Sequence, residues 1–178
     1  MAEIPKNNPE KKEVLDDNDL KFTLGDINAE FLQENRAISY LLTTDWLEIG
    51  EKSEKKLAYK KHKNGDEEFL LIQKFTDENG NRPEPPKKEK LSLEQYNQLF
   101  GQSVRRVEKM RFEFDYLQNG TTFSMKYDEF VDSKLRVLEV NAESEAKRKS
   151  FEPSEFPYEL TDVTGKIEYY GYRVAELV

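Results

Sequence analysis

Residues 104–130 read VRRVEKMRFEFDYLQNGTTFSMKYDEF, and this stretch decides the fold. Successive side chains of a strand point to opposite faces. From Val104 to Leu117 one column is therefore Lys109, Arg111, Glu113 and Asp115, and the other is Met110, Phe112, Phe114 and Tyr116. Residues 121–130 sort the same way, with Ser124, Lys126 and Asp128 set against Phe123, Met125 and Tyr127. Asn119-Gly120 between the two runs is the dipeptide of a tight hairpin turn. Two strands with one apolar and one charged face predict an antiparallel sheet, since buried parallel strands read as continuous apolar runs.

The same sorting works outward. Residues 17–24 (DNDLKFTL) place Asp17, Asp19, Lys21 and Thr23 opposite Leu20, Phe22 and Leu24. Residues 135–141 form a strand in which Val137, Glu139 and Asn141 share a face. Further strands are expected at 37–43, 56–61 and 68–75, the last two joined by a turn at Asn64-Gly65. Asn28 can cap a short helix to Arg36, and Ser92 with Gln95 makes a capping box for Leu93–Phe100, stopped by Gly101. Residues 143–150 read as a third helix, and 77–90 (DENGNRPEPPKKEK) as loop. The class is α+β.

Composition narrows the function. The 178 residues hold 28 Lys plus Arg and 36 Asp plus Glu, a net charge of −8. Charged residues make up 36% against a usual ~25%, yet 11 Phe, 9 Tyr and one Trp give the chain a core that disordered segments lack. The absence of Cys excludes disulfides, thiolate metal sites and a Cys nucleophile, and one His rules against His-cluster zinc sites and a Ser-His-Asp triad. The acidic total argues against a nucleic-acid partner. The polar start and the lack of an apolar run near ~18 residues argue against a signal peptide or a membrane span, so a cytoplasmic protein is expected. His62, between Lys61 and Lys63, reads as surface, Trp46 as packing against the sheet, and the Tyr-rich end as a packed cover.

Alternation leaves two architectures open. In one, an ordinary sheet turns its charged face to water, with Lys109 and Arg111 paired to Glu113 and Asp115. In the other, the sheet closes on itself with charges inside and apolar residues under a coat of helices. Like charges ~4 Å apart cost roughly 4 kcal/mol at an effective dielectric of ~20, so a charged lumen needs internal pairing or a bound polyanion and cation. Lys74, in the apolar run 69–75, and Glu139, among Val137, Leu138 and Val140, favour the closed form, because such residues need a reason to face inward.

Over residues 17–175 the chain resembles the CYTH superfamily, the triphosphate tunnel metalloenzymes. Asp17-x-Asp19-x-Lys21-Phe22 is similar to the family's opening Glu-x-Glu-x-Lys-Phe. Tyr40-Leu41, Leu71-Ile72-Gln73-Lys74, Lys109-Met110-Arg111, Asp128-Glu129-Phe130, Leu138-Glu139-Val140-Asn141 and Val163-Thr164-Gly165 follow in the family's order. The chain departs from the pattern at Ala58, Glu113 and Glu168, where Arg is frequent, at Lys60, where a second Arg is usual, and at Asn141, where an acid is usual.

Residues 1–15, rich in Pro, Asn, Lys and Glu, read as a flexible arm, and the resemblance implies that residues 16–178 form an eight-stranded antiparallel β-barrel with helices outside. It implies that Lys21, Lys60, Lys74, Lys109 and Arg111 hold phosphates, and that Asp17, Asp19 and Glu139, with Asp128 in support, hold Mg²⁺ or Mn²⁺. Lys126 and Asp128 are the candidates to replace what Ala58 and Asn141 lack. Lysine and arginine suit phosphates, and Mg²⁺ takes carboxylate and phosphate oxygens. Two functions are expected as rivals. One is a metal-dependent phosphohydrolase on inorganic or organic triphosphate, an adenylyl-cyclase-like reaction being a variant, with Lys109, Arg111 and Glu139 as its catalytic group. The other is a non-catalytic binding protein for a phosphorylated or polyanionic ligand. The expected partner is a small-molecule triphosphate or a nucleotide, and a homodimer is compatible with either.

Overall fold

Asn119 and Gly120 take φ values of 50° and 80°, the positive pair that a type I′ hairpin requires, in the computed structural model, which describes residues 19–75 and 84–178. The hairpin joins β6 (Arg105–Gln118) to β7 (Thr121–Phe130), and β8 (Arg136–Val140) and β1 (Leu20–Thr23) extend the sheet on one side. On the other side lie β2 (Ile38–Ile49), β3 (Ser53–His62), β4 (Glu67–Phe75) and β5 (Lys87–Lys90), while β9 (Thr161–Asp162) borders β1. The order is β5-β4-β3-β2-β6-β7-β8-β1-β9, and every ladder is antiparallel.

The count is nine strands, where eight were expected, and among the described residues no ladder joins β5 to β9. β5 falls in the segment expected to be loop. Its sequence, KKEK, has no apolar residue to alternate, and only backbone bonding to β4 makes it a strand. An all-charged edge also resists pairing with another chain. The expected arm, residues 1–15, lies outside the described residues.

On β1, β6, β7 and β8 the apolar columns point outward, away from the lumen. Phe22, Phe114, Phe123, Met125, Tyr127, Leu138 and Val140 form one buried cluster with Ile27, Leu32, Phe151 and Phe156. Leu32 comes from α1 (Ala29–Glu34), whose first turn is closed by Asn28 accepting from the Phe31 N–H. Phe151 follows α3 (Glu145–Ser150). Across β2 to β4, α2 (Leu93–Phe100) lays Tyr96 over Tyr59 and Phe69, with ring centroids 6.1 and 4.9 Å away. The helical coat lies on the outside of the sheet, leaving the charged columns to face each other.

One outward charge is structural. Asp45, fully buried on β2, takes 2.8 and 3.3 Å bonds from Arg106 and a 2.8 Å bond from the Ser103 hydroxyl. The Arg106 guanidinium lies 4.4 Å from the Phe100 ring, which ties the end of α2 to the sheet.

Candidate functional site

Strands β1 to β8 all contribute side chains to one cavity of about 430 Å³, which is why the curled sheet is a tunnel and not an open surface. Eight basic and five acidic side chains line it, in a chain whose overall charge is −8. A sheet with charges turned to bulk water would show no such convergence.

Ladder register explains how the charges meet. Arg111 on β6 stands opposite Asp128 on β7, Lys126 on β7 opposite Glu139 on β8, and Glu139 opposite Lys21 on β1. The Arg111 Nε and Nη2 donate to Asp128 at 2.7 and 2.8 Å, and the Lys109 Nζ donates to the same carboxylate at 2.7 Å. Asp128 is only 3% exposed. Burial alone would raise its pKa, but Lys109 and Arg111 hold the carboxyl well below the usual carboxylate range. Burial pushes Lys109 down to about 8, with Arg111 adding to the effect and Asp128 opposing it. Glu139, facing Lys21, Arg111 and Lys126, is likewise held as a carboxylate against its burial.

The partners of Lys109 and Arg111 are therefore neither Glu113 nor Asp115. Glu113 accepts from the Tyr40 hydroxyl at 2.9 Å, and Asp115 is exposed. Lys21 is buried; its Nζ donates to the Tyr169 carbonyl at 3.1 Å and lies 3.7 Å from the centre of the Tyr170 ring. The Tyr-rich end is thus the expected cover: Tyr169, Tyr170, Gly171 and Val174 line the cavity, and Val174 packs with Trp46, Val107, Phe130 and Val137. Lys60 lines the lumen 5.1 Å from the Tyr40 ring, and Lys74 and Lys126 line it too. The expected phosphate-binding set, Lys21, Lys60, Lys74, Lys109, Arg111 and Lys126, thus converges on one space.

The expected metal set does not assemble to the same degree. Asp17 lies outside the described residues. Both Asp128 oxygens are taken by Lys109 and Arg111, and one Asp19 oxygen accepts from the Ala142 N–H at 3.0 Å. Among the described residues no three acidic or His side chains group as metal ligands. Mg²⁺ demands near-octahedral oxygens, and Asp19, Asp128 and Glu139 as placed do not supply such a set.

Three lumen residues carry roles that the sequence alone does not assign. Lys56 faces inward beside Lys74, its Nζ 3.7 Å from the Glu54 carboxylate, and burial pushes it down to about 7, with Lys74, Lys109 and Arg111 adding to the effect and Glu54 opposing it. A signal for it exists, for Lys56 lies two residues before Ala58, on the same face. Trp46 points into the lumen and donates its indole N–H to Glu54, where packing against the sheet was expected. Lys88 comes from β5, in the segment expected to be loop. His62 departs from expectation as well: it is half-buried, its Nε2 is 2.8 Å from the Glu68 carboxylate, and its ring is 5.2 Å from that of Tyr40.

No family model and no curated protein sequence matches the chain. Solved structures with a similar fold include the following two. One is "The crystal structure of the inorganic triphosphatase NE1496", at 21% identity and a TM-score of 0.62, covering 88% of this chain and 92% of that one. The other is "The crystal structure of the hypothetical protein NE1496", at 22% identity and a TM-score of 0.62, covering 88% of this chain and 95% of that one. The fold is CYTH-like. At these identities the likeness carries the architecture, and the chemistry rests on the residues above. Among the described residues no helix is long and apolar enough to cross a membrane.

Proposed function

We propose that the tunnel binds a triphosphate group, inorganic or esterified. One observation carries this reading: eight cations against five acids in a cavity of about 430 Å³, within a chain of net charge −8. Lysine and arginine donate charge-assisted hydrogen bonds to phosphate oxygens. Arg111 and Lys109 are pre-positioned by Asp128, so little side-chain entropy is lost when an anion arrives. Lys60, Lys74 and Lys126 approach the same space from β3, β4 and β7.

Hydrolysis is a second reading, favoured by the similarly folded NE1496, which is called an inorganic triphosphatase. On it, Lys109 and Arg111 would stabilise charge on the transferred phosphoryl group and Glu139 would orient a water. Holding Mg²⁺ or Mn²⁺ on this reading would require Asp17 beside Asp19 and Glu139, since the described acids as placed do not form a ligand set.

Calorimetry with sodium tripolyphosphate at low salt, with and without Mg²⁺ or Mn²⁺, tests the binding reading, and phosphate release in the same samples tests hydrolysis. Binding to one site per chain is expected. Turnover that Arg111→Ala abolishes would establish the hydrolase; binding with no turnover would establish the binding protein. No binding would overturn both.

A further inference from the structure

The two sides of the tunnel differ in chemistry as well as charge. On the β2–β4 side, Leu42, Ala58, Leu70 and Ile72 all face the cavity and pack as one cluster around Tyr40. Ladder register sets Ala58 between Thr44 and Leu70, Leu42 opposite Lys60 and Ile72 opposite Lys56, so the apolar side chains meet diagonally across three strands with lysines at their edges. A wall built only to hold an inorganic polyanion has no use for such a patch, since inorganic phosphates are hydrated on every side and gain nothing from contact with hydrocarbon. The cavity volume, about 430 Å³, falls in the ~300–1,000 Å³ range of sites that enclose organic ligands.

The aromatic rings of the lumen narrow the organic part further. Of the five described aromatic residues that line the lumen, all but Tyr169 carry a lysine ammonium over the ring: Tyr40, Trp46, Phe130 and Tyr170, from Lys60, Lys56, Lys109 and Lys21, at 5.1, 5.5, 5.3 and 3.7 Å. A ring engaged in this way is not an open platform for a nucleobase. Leu42, Ala58, Leu70 and Ile72 offer no donor or acceptor to a base edge, and the Tyr40 hydroxyl among them already donates to Glu113. A saturated hydrocarbon needs neither a platform nor a hydrogen bond.

We propose that the ligand of this tunnel is an alkyl phosphate ester, its oligophosphate head held by Lys109, Arg111 and Lys126 and its aliphatic chain lying on Leu42, Ala58, Leu70 and Ile72. This rests on the reading of the tunnel as a triphosphate site and adds the class of group esterified to it. Ala58 is central, because an Arg there, frequent in the family the sequence resembles, would put a cation in the middle of the patch. Each CH₂ removed from water strengthens binding, so chain length, and not only head charge, sets affinity.

The experiment compares sodium tripolyphosphate, n-butyl triphosphate and adenosine triphosphate by calorimetry at one ionic strength. Butyl triphosphate is expected to bind at least tenfold more tightly than tripolyphosphate. Ala58→Arg is expected to reverse that order, and Ile72→Gln, at a half-buried position, to shrink the preference at least threefold while thermal unfolding confirms a folded chain. Tripolyphosphate binding as tightly as the butyl ester would overturn the inference and leave the triphosphate site standing. Adenosine triphosphate binding tenfold more tightly than the butyl ester would overturn the aliphatic assignment. No binding by any of the three would overturn the triphosphate site itself.

Discussion

The two walls of the tunnel use lysine differently. On the wall of β1, β6, β7 and β8, cations and acids meet in register: Arg111 and Lys109 on Asp128, and Lys21 and Lys126 beside Glu139. On the wall of β2 to β4, Lys56, Lys60 and Lys74 stand among Leu42, Ala58, Leu70 and Ile72, with Glu54 as the acid that also reaches the cavity. The first wall ties several cations to Asp128 and Glu139, whereas on the second Glu54 stands opposite Lys74 in register and 3.7 Å from the Lys56 Nζ. The second keeps lysines in partly apolar surroundings, where charge is disfavoured, as the depressed Lys56 shows. An anion in the tunnel would relieve that cost, so the second wall is where ligand and proton are coupled.

The largest expected effect breaks the first wall. Asp128→Asn leaves Lys109 and Arg111 buried without their counter-charge, and losing one partner of a buried pair costs ~3–5 kcal/mol. Denaturant unfolding should show this loss, with excess tripolyphosphate restoring part of it by supplying the missing negative charge. An unchanged midpoint would mean that the pairing does not hold this wall.

A smaller effect sharpens the second wall. The folded-state value of Lys56, about 7, lies below its unfolded value of 10.5, so between these pH values the unfolded chain binds a proton that the folded chain does not. Stability contributed through Lys56 therefore rises with pH from about 7 to about 10.5, and below pH 7 the full penalty is present. Lys56→Met should stabilise the protein at pH 6 by on the order of 2 kcal/mol and at pH 10 by much less. It should also remove proton uptake on tripolyphosphate binding near pH 8, read from calorimetry in buffers of different ionisation enthalpy. Equal effects at both pH values would show that Lys56 is not held in its neutral form.

The smallest effect lies on neither wall. Glu168 is exposed and outside the cavity lining, so Glu168→Arg should change stability and tripolyphosphate affinity by less than about 0.5 kcal/mol, although an Arg is frequent there in the family resembled. A tenfold gain in affinity would mean that this position belongs to the site.

What can be read in the sequence follows from where alternation is informative. In β6 and β7 large apolar and charged residues alternate cleanly, so the faces, the hairpin and Lys109, Arg111, Lys126 and Asp128 are legible from the sequence alone. Curvature is not. Alternation separates two faces but carries no sign of which is concave, and Lys74 and Glu139 are needed to choose. β5 is hidden because a strand of four charged residues differs from loop only through its ladder to β4. The pairing of Lys109 and Arg111 with Asp128 rather than Glu113 depends on cross-strand register, which spacing along one strand does not contain.

Whether both walls hold one ligand is decided by tripolyphosphate calorimetry on Lys60→Gln in β3, Lys126→Gln in β7 and the double variant. One site per chain is predicted, with each single substitution weakening binding about tenfold. If either one alone leaves affinity unchanged, or if the two act at separate sites, the walls do not enclose a common ligand and the account is contradicted.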